Sequence, residues 1–132
     1  MWYMKKIVLV EDDITLADMY KLKLELDGHE CIVAYDGATG LNTIKEQDPD
    51  MVLLDLMLPK VSGGEILQRM RESDWGKDTK VIIMTNVGES GPSEQLKKYH
   101  YERYLIKANH TLNQVGDIIR EILEAPATAK AA

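Results

Sequence analysis

Five short apolar runs punctuate the chain, and between them apolar residues return every three or four positions. Lys6-Ile7-Val8-Leu9-Val10, Met51-Val52-Leu53-Leu54 and Val81-Ile82-Ile83-Met84 hold no interior charge, which suits strands covered on both faces of a parallel sheet. Cys31-Ile32-Val33-Ala34 and Tyr104-Leu105-Ile106 are shorter and read as strands nearer the sheet edges. Leu16, Met19, Leu22 and Leu26 form one helical stripe, and Val115, Ile118, Ile119 and Ile122 another. Gly28 stands where the first of these helices should stop, and Thr111 with Gln114 forms a capping box that opens the last. Residues 41–46 and 64–71 supply two more helices. Residues 90–99 give a poorer one, with only Leu96 and Tyr99 as apolar anchors. Strand and helix thus alternate five times, which predicts an α/β fold with a parallel sheet, right-handed crossovers and helices on both faces.

At 132 residues, 45% apolar and 29% charged, the chain fits one domain whose core needs no disulfide or structural metal. Its one cysteine, Cys31, cannot make an internal bridge, so a reducing, cytoplasmic setting is expected, with Cys31 small and buried. No apolar run has the length of a membrane span, and the start has no secretory pattern. A net charge of −6 argues against direct nucleic-acid or anionic-membrane partners, which require clustered basic surface. The domain is placed at residues 4–124, followed by a disordered small-residue tail at 125–132.

The acids gain meaning from their places. In doubly wound sheets ligands bind beyond the carboxyl ends of the strands. Glu11-Asp12-Asp13 directly follows the first strand and Asp55 the third, while Thr85 ends the fourth and Lys107 the fifth. Asp13 also stands where a cap for the first helix is needed. Carboxylates gathered in one small volume stay ionised only beside a compensating cation, and Mg²⁺ is the natural one for hard oxygen ligands and phosphate. The set points to phosphoryl chemistry, with Asp55 as nucleophile and Lys107 neutralising phosphoryl oxygens.

Val8-Leu9-Val10-Glu11-Asp12-Asp13 and Leu53-Leu54-Asp55-Leu56-Met57-Leu58-Pro59, with Gly63 beyond, resemble the signatures of the receiver domain of two-component response regulators. The resemblance spans about residues 4–124. It implies a flavodoxin-like, doubly wound five-stranded sheet in the order 2-1-3-4-5. It implies that Asp55 is the phosphoacceptor, that Asp12, Asp55 and the backbone carbonyl of Met57 hold Mg²⁺, and that Glu11 holds a metal-bound water. Thr85 and Lys107 would contact the phosphoryl oxygens, and Tyr104 would be the switch aromatic. Phosphorylation adds about two negative charges at one point. In the switch that the resemblance implies, Thr85 would then move towards the phosphoryl group, Tyr104 would fill the space it leaves, and the surface of the fourth helix, fifth strand and last helix would change for a partner. The implied partners are a histidine kinase or histidine phosphotransfer protein and a downstream protein target, with a homodimer through that same surface. Lys97, Lys98, His100 and Arg103 put positive charge near it and read chiefly as solvated.

The sequence departs from the family in places. Ala108 stands where the family has a proline, so a trans peptide or a rearranged loop is expected after Lys107, because a cis bond before alanine costs about 2.5–4 kcal/mol. Asn86 is larger than the small residue usual after the threonine. Met57 and Val87 flank the path of an attacking water with apolar side chains, which predicts slow self-dephosphorylation. Trp75 is placed within sight of the site edge. A degenerate receiver acting as a constitutive interaction module is the alternative reading. A phosphatase using an Asp-x-Asp pair is disfavoured because Met57 replaces the second acid, so the domain's own chemistry is limited to gaining and losing its phosphoryl group. A flavin site is disfavoured because Glu11-Asp12-Asp13 would repel a phosphate.

Overall fold

A computed structural model describes residues 4–86 and 91–125. Its elements run β1 (Lys6–Val10), α1 (Ile14–Leu26), β2 (Glu30–Ala34), α2 (Gly37–Gln47), β3 (Met51–Asp55), α3 (Gly63–Arg71), β4 (Lys80–Thr85), a 3-10 turn at Leu96–Lys98, β5 (Arg103–Ile106), a second 3-10 turn at Lys107–Asn109, and α4 (Leu112–Glu124). All strand pairs are parallel, in the order β2-β1-β3-β4-β5. The doubly wound sheet expected from the alternating runs is therefore present.

Strand side chains alternate cleanly between two cores. Ile7, Leu9, Met51, Leu53, Ile82 and Met84 pack under α1 and α4, whereas Val8, Val10, Val52, Leu54, Val81 and Ile83 pack under α2 and α3. Coverage on both faces explains why these strands carry no interior charge. Local chemistry sets the helix ends. The Leu16 N–H donates to Asp13 Oδ1 at 3.0 Å, Gly28 takes a φ of 93° after α1, and both halves of the Thr111–Gln114 box are formed.

Two features differ from the sequence reading. The stripe Leu16, Met19, Leu22 and Leu26 is not the inward face of α1: Ala17, Tyr20 and Leu24 are buried, Leu16 is half-buried, and Met19, Leu22 and Leu26 are exposed. The helix expected over residues 90–99 is, among the described residues, a single 3-10 turn, so the sheet carries four α-helices rather than five. Gly91 and Pro92 open that segment, and its apolar anchors are too few for a helix whose stability must come from burial. Polar tethers hold it instead. Arg71 Nε donates to the His100 carbonyl at 2.8 Å, and the Tyr99 hydroxyl donates to Glu72 Oε2 at 3.2 Å. Lys97 pairs with Glu94 and His100 with Glu102, in keeping with a solvated basic run. Among the described residues no helix is long and apolar enough to cross a membrane.

Candidate functional site

Register brings the acids together. Val10 of β1 pairs with Leu54 of β3, so the next residues, Glu11 and Asp55, lie side by side where the strand order reverses. Carboxylate oxygens of Glu11, Asp12 and Asp55 all lie within 4.8 Å of one another, with Glu11 and Asp55 buried and Asp12 exposed. The Lys107 ammonium reaches across from the end of β5 and donates to Glu11 and, at 2.9 Å, to Asp55 Oδ2. No cis peptide occurs among the described residues, and Lys107 begins a 3-10 turn, so the chain turns at Ala108 through a trans peptide while Lys107 still meets both acids.

Backbone donors complete the arrangement. The Asp13 N–H donates to Glu11 Oε2 at 3.0 Å, and the Met57 N–H donates to Asp55 Oδ1 at 3.1 Å. The N-terminus of α1 adds its positive dipole end beside the acids. Burial pushes the Glu11 carboxyl above the ordinary carboxylate range, against the hydrogen bonds from Lys107 and Asp13 that pull it down. Burial also pulls the Lys107 ammonium down, but its hydrogen bonds to Glu11 and Asp55 and their charges outweigh this and hold it above the usual lysine value. The lysine stays charged and offsets part of the carboxylate repulsion.

Gly63 fixes the loop after Asp55. A Cβ there would stand 2.1 Å from the Asp55 carbonyl oxygen, and the Gly63 N–H donates to the Leu56 carbonyl at 3.1 Å. Only glycine allows α3 to start so close to the strand end.

The acids line a cleft of about 310 Å³ with Asp13, Leu16, Met57, Asn86 and Lys107. Thr85 lies fully buried at the end of β4 and is not among the residues lining that cleft; its neighbour Asn86 is. Tyr104, half-buried on β5, lines a separate groove of about 480 Å³ with Leu56, Met57, residues 91–94 and Lys97. Met57 is shared by both cavities, and its side chain is 64% exposed. Val87 lies outside the described residues. Trp75 is not near this edge: it lines a hollow with Asp48, Asp50 and Lys80, at the opposite end of the sheet, where β3 and β4 begin. The loop after α3 necessarily returns there, because α3 runs away from the carboxyl edge. Leu16, which the sequence reading places only on the first helix's apolar stripe, is a cleft residue, and its position three places after the Asp13 cap is the signal that could have revealed it.

Three carboxylates gathered at one edge, two of them joined to the Lys107 ammonium, suit a divalent cation and a phosphoryl group. The family model for the response regulator receiver domain matches residues 7–119. Over 130 residues the chain is 31% identical to the DNA-binding dual master transcriptional regulator RpaA of Synechocystis, a match covering 96% of this chain and 54% of that protein. Over 103 residues it is 29% identical to the polar-differentiation response regulator DivK of Brucella anthropi, covering 78% and 84%. The chain spans about half the length of the first curated relatives it matches. The receiver domain of the sensor histidine kinase PA1611 from Pseudomonas aeruginosa, solved with a magnesium ion coordinated in its active site cleft, shares the fold, with a TM-score of 0.83, 21% identity and coverage of 93% and 100%. With the family model spanning most of the strands and helices described above, the chain belongs to the receiver domain family of two-component response regulators.

Proposed function

We propose that this receiver domain takes a phosphoryl group on Asp55 from a histidine kinase or histidine phosphotransfer protein and thereby changes the surface it offers to a protein target. The observation that carries this reading is the buried pair of Glu11 and Asp55 joined through Lys107, with Asp12 at the mouth. An Asp55 carboxylate oxygen bonds to phosphorus as the phosphorus bond to the donor's histidine nitrogen breaks. Lys107, already donating to Asp55, neutralises charge on the transferring group. Asp12, Asp55 and the Met57 backbone carbonyl would hold Mg²⁺ directly, and Glu11 through a water. When bound, Mg²⁺ would supply the remaining neutralisation of the phosphoryl oxygens.

Thr85 offers its hydroxyl to a phosphoryl oxygen. Tyr104, two residues before the partner of Thr85 in the β4–β5 register, has the neighbouring groove in which to change position. The responding surface is then the 3-10 turn, β5 and α4. Self-association through it would be a second consequence of the same switch. The apolar Met57 side chain at the cleft mouth offers an attacking water no hydrogen bond, which favours a long-lived phosphoryl group.

The test is incubation with acetyl phosphate, or with beryllofluoride, in Mg²⁺, beside Asp55→Asn. The wild type should gain one phosphoryl mass and shift NMR signals across β5 and α4, while Asp55→Asn shows neither. No change in either protein would overturn the proposal in favour of a constitutive module, and repeated release of phosphate would point to a phosphatase.

A further inference from the structure

We infer that Met57 is an oxidation site through which peroxide shortens the life of the phosphoryl group; this rests on the phosphoacceptor reading. Three of the described methionines, Met51, Met70 and Met84, are at most 2% exposed, whereas Met57 is 64% exposed. Met4 and Met19 are also exposed, but neither lines the acidic cleft. Met57 does, and it lines the Tyr104 groove as well, so one exposed methionine borders both the acidic cleft and the groove of the aromatic. Its position beside the carboxylate is set by the backbone: the Met57 N–H donates to Asp55 Oδ1 at 3.1 Å.

Thioether oxidation by hydrogen peroxide is a two-electron step. The sulfur attacks one peroxide oxygen, an S–O bond forms, the O–O bond breaks, and the departing hydroxide takes the proton carried by the transferred oxygen, which leaves the sulfoxide and one water. Sulfur is oxidised and peroxide reduced. The product is polar and chiral, and methionine sulfoxide reductases reverse it. At this mouth the change matters because the sulfoxide oxygen is a strong acceptor where the thioether was nearly inert. It can accept a hydrogen bond from a water approaching phosphorus and hold that water near the reacting centre, which favours hydrolysis. The Met57 backbone carbonyl is untouched, so the step changes phosphoryl lifetime rather than the metal-ligating set.

The experiment treats wild type and Met57→Leu with hydrogen peroxide, maps added oxygen by peptide mass, and follows phosphoryl decay by intact mass after acetyl phosphate is removed. Oxygen should appear on Met57, Met4 and Met19 and not on Met51, Met70 or Met84. Peroxide should shorten the wild-type half-life by about threefold or more and leave the Met57→Leu half-life where it was. Met57→Gln, with a permanent polar group, should decay faster than Met57→Leu without any oxidant, and a sulfoxide reductase should restore the wild-type lifetime. Equal shortening in Met57→Leu, or an unchanged half-life once Met57 is fully oxidised, overturns the inference alone. A wild type that accepts no phosphoryl group at all removes the phosphoacceptor reading and this one with it.

Discussion

Helices α1 and α4 are each thirteen residues long, cover the same face of the sheet and touch one another, yet they use their apolar residues differently. On α4 the stripe is the core face: Val115 and Ile119 are at most 1% exposed, and Ile118 and Ile122 pack beside them. On α1 there are two stripes. Ala17, Tyr20 and Leu24 face the sheet, while Met19, Leu22 and Leu26 stand 45%, 60% and 76% exposed. Both α1 stripes have helical spacing, so periodicity cannot choose between them. The choice comes from the short connection after β1, which fixes the rotation of α1 once Asp13 caps it, and from the small Ala17, which allows close approach to the strands. The inner stripe includes the small, fully buried Ala17, whereas the outer stripe of Met19, Leu22 and Leu26 has only large side chains.

Truncation gives the largest test of this contrast. Leu24→Ala and Ile119→Ala should each cost about 2–5 kcal/mol in chemical denaturation, since both empty a fully packed site on the shared core. Cys31 probes the same core through pH. Burial pushes its thiol up to about 11 from 9.0, so the folded chain keeps a proton that the unfolded chain releases. This contribution is whole below about pH 9 and is lost as pH rises through about 11, on the order of 2–3 kcal/mol. Relative to Cys31→Val, the wild type should therefore lose stability between about pH 8 and about pH 10.5. A constant difference would mean that the thiol is not held in the core. The smallest effect belongs to the outer stripe. Leu22→Gln and Leu26→Gln keep helix propensity and should change stability by no more than about 0.5 kcal/mol. A cost near that of Leu24→Ala would show that α1 is rotated from the orientation described.

The candidate site was more legible than the packing around it. Glu11, Asp12 and Asp55 sit directly at strand ends, and a strand end in a parallel sheet has one place to go, so the residue order alone brought three carboxylates to one edge. Lys107 was legible as a strand-end cation. That it would meet both acids despite Ala108 was not, because the aim of a long side chain depends on the turn that follows it. The separation of Tyr104 from the acidic cleft, with Met57 between, also had no signal in spacing. Trp75 misled because loop membership says nothing about which end of the sheet a loop visits.

Taken by itself, the order of residues determined the strands, the strand-end acids and the helix ends at Asp13, Gly28 and the Thr111–Gln114 box. Each of these depends on hydrogen bonds or backbone geometry satisfied within a few residues, so local chemistry suffices. The tertiary structure alone decided which stripe of α1 faces inward and which residues share the cleft. It also left residues 91–99 with one 3-10 turn in place of a helix. Those outcomes rest on burial between residues distant in sequence, and a segment with only Leu96 and Tyr99 to bury cannot gain enough from the sheet to pay for a regular helix.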